Sequence, residues 1–366
     1  MKVRIGAMAL LGILAVVAFL GCVSEPTKPA EQKPVEQTKQ VKIYGSGASF
    51  PAPQMENWIS EFSKVNKNII VEYASKGSGA GINDFKNKLV HFACTDPPAK
   101  ESEWREFEKI GKPLQFPFIV GAVVVVYNLP VEDLRLDGET LAKIFMGEIE
   151  YWDSEEIKRL NPDAKLPHEK IMVIHRSDSS GTTEVFTTYL SMVSKEFKER
   201  VGAGKLVDWP VDKLGRGFGG KGNEGVSAMV KQTPNSIAYV ELAYALHEKF
   251  KMVSIKNADG YFVKANSETI AAAVSASSAF VPDPFEGYKE DPKMFLNAKG
   301  KNSYPIVSFS HVLLWSSYPK DEAEAIKTFW KWVLTEGDKH IVEGYVAVPK
   351  EVADLALKAV ESIRGE

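Results

Sequence analysis

His175-Arg176-Ser177-Asp178-Ser179-Ser180-Gly181-Thr182-Thr183 joins an apolar run, Ile171-Met172-Val173-Ile174, to a segment in which Val185, Phe186, Tyr189, Leu190 and Val193 recur at helical spacing. Strand, turn and helix in that order put Ser180, Gly181 and Thr182 where the helix begins. The first backbone N–H groups of a helix have no partner inside it, and the helix dipole places partial positive charge there. Two or three hydroxyls, a glycine that permits close approach and an arginine just upstream make such a turn a place for a small oxyanion. Taken alone, the stretch fits an ordinary Ser/Thr cap with Arg176 in a surface ion pair equally well. The rest of the chain has to decide.

Working outward, the same pattern recurs. Val41-Lys42-Ile43-Tyr44 runs into Gly45-Ser46-Gly47-Ala48-Ser49-Phe50-Pro51, beyond which Met55, Trp58, Ile59, Phe62 and Val65 keep helical spacing. Ile69-Ile70-Val71-Glu72-Tyr73 leads to Gly77-Ser78-Gly79-Ala80-Gly81 and a helical segment with Ile82, Phe85 and Leu89. His91-Phe92-Ala93-Cys94-Thr95 stops at Asp96-Pro97-Pro98. Val120 to Tyr127 is apolar almost throughout, as a strand covered on both faces should be. Further on, Ser236–Val240, Pro305–Phe309 and Val312–Trp315 are strand-like, residues 255–300 are polar and irregular, and two amphipathic helices close the chain. Alternating strands and helices mean α/β architecture, and ligands in such sheets bind beyond the carboxyl ends of strands. Ser49, Ser78, Asp96 and Ser180–Thr182 all stand at that kind of position. Four unrelated caps would be a coincidence.

A length of 366 residues suggests two domains, and 44% hydrophobic with 25% charged residues is the balance of a soluble globular protein. A net charge of −3 argues against a nucleic-acid partner, because no basic excess exists to neutralise a phosphate polymer. Lys2 and Arg4 precede an apolar stretch that ends at Leu20-Gly21-Cys22, the pattern of a signal peptide over residues 1–21. A cysteine after a small residue resembles a lipoprotein signal, with Cys22 as the lipid attachment site, although Phe19 stands where Leu is usual; the alternative is an uncleaved anchor. Loss of residues 1–21 removes two positive charges and takes the net charge from −3 to −5. Residues 22–40 are rich in Pro, Glu, Gln, Lys and Thr and read as a flexible tether. With Cys22 lipidated, Cys94 is unpaired. The folded body is expected to lie outside the cytoplasm.

Several motifs fail on inspection. Gly215-x4-Gly220-Lys221 lacks the Ser or Thr of a P-loop, having Gly222 there, and Gly217-x-Gly219-x-x-Gly222 has no strand directly before it. Both read instead as a tight glycine-rich loop. Ser49 misses the nucleophile elbow because Pro51 replaces its last glycine. The six histidines are scattered without ligand spacing, so no metal is expected. The chemistry looks like capture without turnover, so no enzyme and no cofactor are expected.

Taken together, the quoted segments, with Phe92-Ala93-Cys94-Thr95-Asp96, Gln115-Phe116-Pro117, Gly219-Gly220-Lys221-Gly222-Asn223 and Ile237-Ala238-Tyr239-Val240-Glu241, resemble the phosphate-binding protein of the high-affinity phosphate ABC transporter over nearly all of residues 41–350. The resemblance implies a two-lobed fold like that of the type II periplasmic binding proteins, with phosphate in the cleft. Residues 41–127 with 310–366 would form lobe I, and 128–309 lobe II. It implies phosphate contacts from Ser49, Phe50 (through its backbone N–H), Ser78, Asp96, Arg176, Ser180, Gly181 and Thr182, with Asp178 orienting the arginine. Ser49 replaces the family's usual Thr, and His175 departs from a residue often basic in relatives. Implied partners are inorganic phosphate, permease subunits and the membrane through the lipid anchor, with the protein acting as a monomer. Asp96 is expected to discriminate, since protonated phosphate can donate to it and sulfate cannot. Sulfate or molybdate binding, and a secreted phosphatase, are the alternatives.

Overall fold

The computed structural model describes residues 40–277, 283–287 and 295–366. The expected signal peptide, Cys22 and all but the last residue of the expected tether lie outside the described residues. The main sheet contains β1 (Val41–Gly47), β2 (Ile69–Ser75), β3 (Phe92–Thr95), β4 (Pro113–Tyr127), β5 (Met172–Arg176), β6 (Gly217–Gly220), β7 (Ser236–Glu241) and β8 (Val307–Trp315). Their order is β2-β1-β3-β8-β4-β7-β5-β6, and the two-residue strand Lys251–Met252 also pairs with β4. β1 is parallel to β2 and β3, and β5 is parallel to β6 and β7. β8 and β4 run antiparallel to their neighbours in the middle.

The parallel pairings require crossover connections, and helices supply them. They include α1 (Ala52–Val65), α2 (Ser78–Lys86), α3 (Glu101–Glu108), α4 (Gly181–Val193) and α5 (Gly222–Gln232), with α6 (Lys320–Thr335) and α7 (Lys350–Glu361) near the end of the chain. Each helix turns its apolar stripe inward; α1 buries Met55, Trp58 and Phe62, three of the residues whose spacing predicts it. Aromatic rings gather in several places, two of which flank the sheet's middle strands. Phe62, Phe92, Phe116, Phe118, Phe329 and Trp330 pack under β3, β4 and α6. Phe145, Phe186, Trp209 and Tyr239 pack around β7 and α4. Each large ring withdrawn from water contributes on the order of 2 to 3 kcal/mol.

β4 is 15 residues long and buried throughout. Its first part, Pro113 to Ala122, pairs with β8, and its last part, Val123 to Tyr127, pairs with β7. One strand therefore belongs to both groups of strands.

Three readings from the sequence need correction. The separate strand-like runs at Pro305–Phe309 and Val312–Trp315 are one strand, β8, with a register shift between Ser310 and His311. In the sequence the polar pair Ser310-His311 separates the two apolar runs. The supposed irregular stretch 255–300 holds a helix, Ser267–Ala276, with a capping box at Asn266 and Thr269. Only Ile270 and Ala273 are buried on it, too few to make a periodic signal. The glycine-rich loop contains an edge strand, β6, directly before the turn into α5.

Candidate functional site

Five turns or strand ends converge: β1 to α1 (Ser49), β2 to α2 (Ser78), the end of β3 (Asp96), β5 to α4 (Arg176 to Thr182) and β6 to α5 (Asn223). The side chains of Ser49, Ser78, Asp96, Arg176, Ser180, Thr182 and Asn223 are all buried. Buried polar groups need partners, and here the partners come from across the molecule.

Ser49 Oγ accepts from the backbone N–H of Asn223 at 3.1 Å and from its Nδ2 at 3.0 Å. The same Nδ2 donates to Thr182 Oγ1 at 3.2 Å, which also accepts from Arg176 Nη1 at 3.4 Å. Ser78 Oγ accepts from the N–H of Gly181 at 3.1 Å and of Asp96 at 3.4 Å. A hydroxyl offers two lone pairs and one proton. Each of these three hydroxyls has both lone pairs taken by N–H donors, so each can act on anything else only as a donor. Among the described residues none of the three protons has an acceptor.

Arg176 is fixed in its plane. Its Nε and Nη2 donate to Oδ1 and Oδ2 of Asp178 at 2.8 and 2.6 Å, the bidentate geometry that suits a guanidinium. Asp178 Oδ1 also accepts from the Gly222 N–H at 3.1 Å. Burial pushes the Asp178 carboxyl up, but the Arg176 guanidinium and the Gly222 amide outweigh it and hold the group below its ordinary range.

The glycine of the opening stretch is there for space. A Cβ on Gly181 would lie 1.8 Å from the Asp96 carbonyl oxygen and 2.5 Å from Ser78 Oγ, so any side chain would force the start of α4 away from β3 and α2. Ser180 caps α4, its Oγ accepting from Thr183 N–H at 3.1 Å. The Phe50 turn is anchored through its carbonyls: Tyr244 donates to Ser49 O at 2.8 Å and Tyr345 to Phe50 O at 2.5 Å.

Asp96 sets a carboxyl with an oxygen to spare among these donors. Its Oδ1 accepts from Ser310 Oγ at 2.6 Å, while among the described residues Oδ2 is buried with no hydrogen-bond partner. Burial raises its pKa to about 7, against the opposing pull of the Ser310 bond and the charges of Arg176 and Lys205.

All eight residues expected to contact the ligand, and Asp178, thus fall in one neighbourhood. His175 takes no part in it: Nε2 is 2.8 Å from Asp212 Oδ1, Nδ1 is 3.0 Å from the Arg176 carbonyl, and the ring stacks on Trp209. Two residues of the neighbourhood are absent from the expected set. Asn223 ends the quoted Gly219–Asn223 motif and stands at another strand–turn–helix junction, a signal that could have found it. Ser310 leaves no signal, being one serine inside an apolar strand. Among the described residues no three of His, Cys, Asp and Glu are grouped so as to hold a metal ion, and no helix is long and apolar enough to cross a membrane.

Comparison with known proteins agrees with this geometry. Residues 30–336 match the family model described as the PBP superfamily domain. The chain is 50% identical to the phosphate-binding protein PstS of Methanocaldococcus jannaschii, over 96% of this chain and 93% of that protein. It is 39% identical to the phosphate-binding protein PstS of Xylella fastidiosa strain Temecula1, over 95% of this chain and 96% of that protein. The crystal structure of the ancestral soluble variant of the human phosphate binding protein shares the fold, with a TM-score of 0.71 at 18% identity over 89% of this chain and 99% of that one. The chain belongs to the PBP superfamily and, within it, to the family of PstS phosphate-binding proteins.

Proposed function

We propose that this protein captures inorganic phosphate at the junction of its two strand groups and delivers it to the permease of an ABC transporter. The hydrogen count of the site carries the reading. Three hydroxyls committed to donation and the fixed guanidinium of Arg176, gathered at the start of α4, suit a small oxyanion. A free acceptor beside them, Asp96 Oδ2, suits an oxyanion that still carries a proton. Sulfate carries none and would face an unpaired buried carboxylate, a mismatch that can cost about 10⁴-fold in sites built for a hydrogen bond. The names of the curated relatives point to the same ligand.

Calorimetric titration at pH 8 tests the reading: phosphate is expected to bind at least about 10³-fold more tightly than sulfate, and Asp96→Asn to weaken phosphate and narrow the gap. Equal affinities in the unaltered protein would sink it.

Residues 41–127 with 310–366 would act as one lobe and 128–309 as the other, hinged where β4 changes partner and β8 begins. The sharing of β4 between β8 and β7 supports that division. The protein would work as a monomer on the outer face of the membrane, tethered through lipid on Cys22, which mass spectrometry of the N-terminal peptide would reveal. Binding without catalysis fits the hydroxyl partners, which are amides and a guanidinium and cannot serve as a base. A chromogenic phosphate ester is expected to stay intact.

A further inference from the structure

We propose that Ser310 is a specificity-determining residue: its hydroxyl occupies one oxygen of Asp96 and so makes that carboxyl an acceptor with a single free place. The inference rests on the reading above that the site takes phosphate.

Its placement follows from the sheet. β8 runs antiparallel to β3, with Val312 opposite Cys94 and His311 opposite Thr95, so the next step along both chains sets Ser310 against Asp96. At that same step the register of β8 against β4 slips. Ser310 opposes Ile119 and His311 opposes Pro117, leaving Phe118 as the extra residue on β4. Bulges of this kind re-aim side chains beside functional sites. Here the serine, fully buried, donates to Asp96 Oδ1 at 2.6 Å, the length of a charge-assisted O–H···O bond.

Without that donor the carboxyl would be buried with neither oxygen paired, and the neutral acid would be favoured. A neutral Asp96 has a proton of its own to give. It would then donate to a bare oxyanion, and the site would lose its reason to refuse sulfate. The other groups facing Asp96 cannot replace the bond. Arg176 and Lys205 favour its charge while Glu184 opposes it. Glu241 is buried and held well above its ordinary range, and Tyr73, Tyr345 and Cys94 are buried and neutral.

Sulfate is the probe, because it is fully ionised throughout the range in which Asp96 titrates. Displacement of bound phosphate by sulfate is measured from pH 5 to 9 in the unaltered protein, Ser310→Ala and Ser310→Thr. In the unaltered protein sulfate binding is expected to fade as pH rises through about 7. In Ser310→Ala the fading moves up by about one pH unit, the worth of a hydrogen bond to a charged group, and the phosphate preference at pH 8 narrows about tenfold. Ser310→Thr, which keeps the hydroxyl, returns both toward the original values. A merely structural serine would shift stability and leave the profile in place. Coincident profiles for the unaltered protein and Ser310→Ala, with phosphate still bound by both, overturn the role of Ser310 and leave the phosphate reading intact. Failure of the unaltered protein to bind phosphate overturns that reading itself. Should Ser310→Ala not fold, Ser310→Cys serves in its place, since a thiol donates only weakly, and an unmoved profile there is equally fatal.

Discussion

Asp96 keeps its proton up to about pH 7 in the folded chain, against an ordinary value of 3.8. Between those two values folding takes up a proton. Stability without ligand therefore falls as pH rises from about 4 to 7, at up to about 1.4 kcal/mol per pH unit for one group, and is flat with respect to this group outside that window. Glu241 is raised in the same direction, so the Asp96 share has to be read by difference. Urea unfolding at pH 5 and pH 7 is expected to show a smaller loss in Asp96→Asn than in the unaltered protein; matching losses would contradict it. Asn223 is the other residue to test alone. Its amide and backbone N–H hold Ser49, and its amide also holds Thr182. Asn223→Ala frees lone pairs on both hydroxyls, which can then turn away from an anion. At about 1 kcal/mol for each lost bond, calorimetry should record phosphate affinity falling roughly ten- to thirtyfold.

At the scale of one element, the start of α4 combines two independent devices. The Ser180 cap serves the helix: Ser180→Ala removes the bond to Thr183 N–H and is expected to cost about 1 kcal/mol, visible as a lower melting temperature. Gly181 serves the approach of α4 to its neighbours. Gly181→Ala must displace the Asp96 carbonyl or Ser78, and that displacement separates the donors. Phosphate affinity is expected to drop by at least about 100-fold, since even small misplacements in a preorganised site are costly. An alanine variant that binds as tightly as the original would show that the close contact is incidental.

At the scale of the whole molecule, the Ser49–Asn223 and Ser78–Gly181 bonds join the β1–β3 group to the β5–β7 group, and an ion-pair cluster does the same nearby. Lys205 is buried and lies 3.1 Å and 3.2 Å from the two carboxylate oxygens of Glu103 on α3, and 3.5 Å from Glu184 on α4. Lys100 pairs with Glu184 at 2.7 Å. Removing one partner of such a cluster leaves charge buried without compensation. If the strand groups move as lobes, Lys205→Met is expected to speed phosphate release about tenfold in stopped flow, with association little changed. Small-angle scattering of the unaltered protein should show compaction when phosphate is added, as hinge closure requires. Identical profiles would remove the hinge.

Local order along the chain was enough to specify much of this protein. Strand, glycine-rich turn and helix at Ser49, Ser78 and Ser180–Thr182 follow from periodicity and turn chemistry, because those depend on residues a few positions apart. The oxyanion character of the turns follows too, since unpaired N–H groups at a helix start are a property of the helix itself. What spacing along the chain could not supply was which hydroxyl meets which donor. Ser49 finds Asn223 across 174 positions and Asp96 finds Ser310 across 214, and both pairings depend on how the strands stack in one sheet. Only that stacking saturates the lone pairs of three hydroxyls and leaves Asp96 Oδ2 free. The charge Asp96 carries at neutral pH was likewise decided by tertiary structure, because burial, a cross-strand serine and two distant cations set it together.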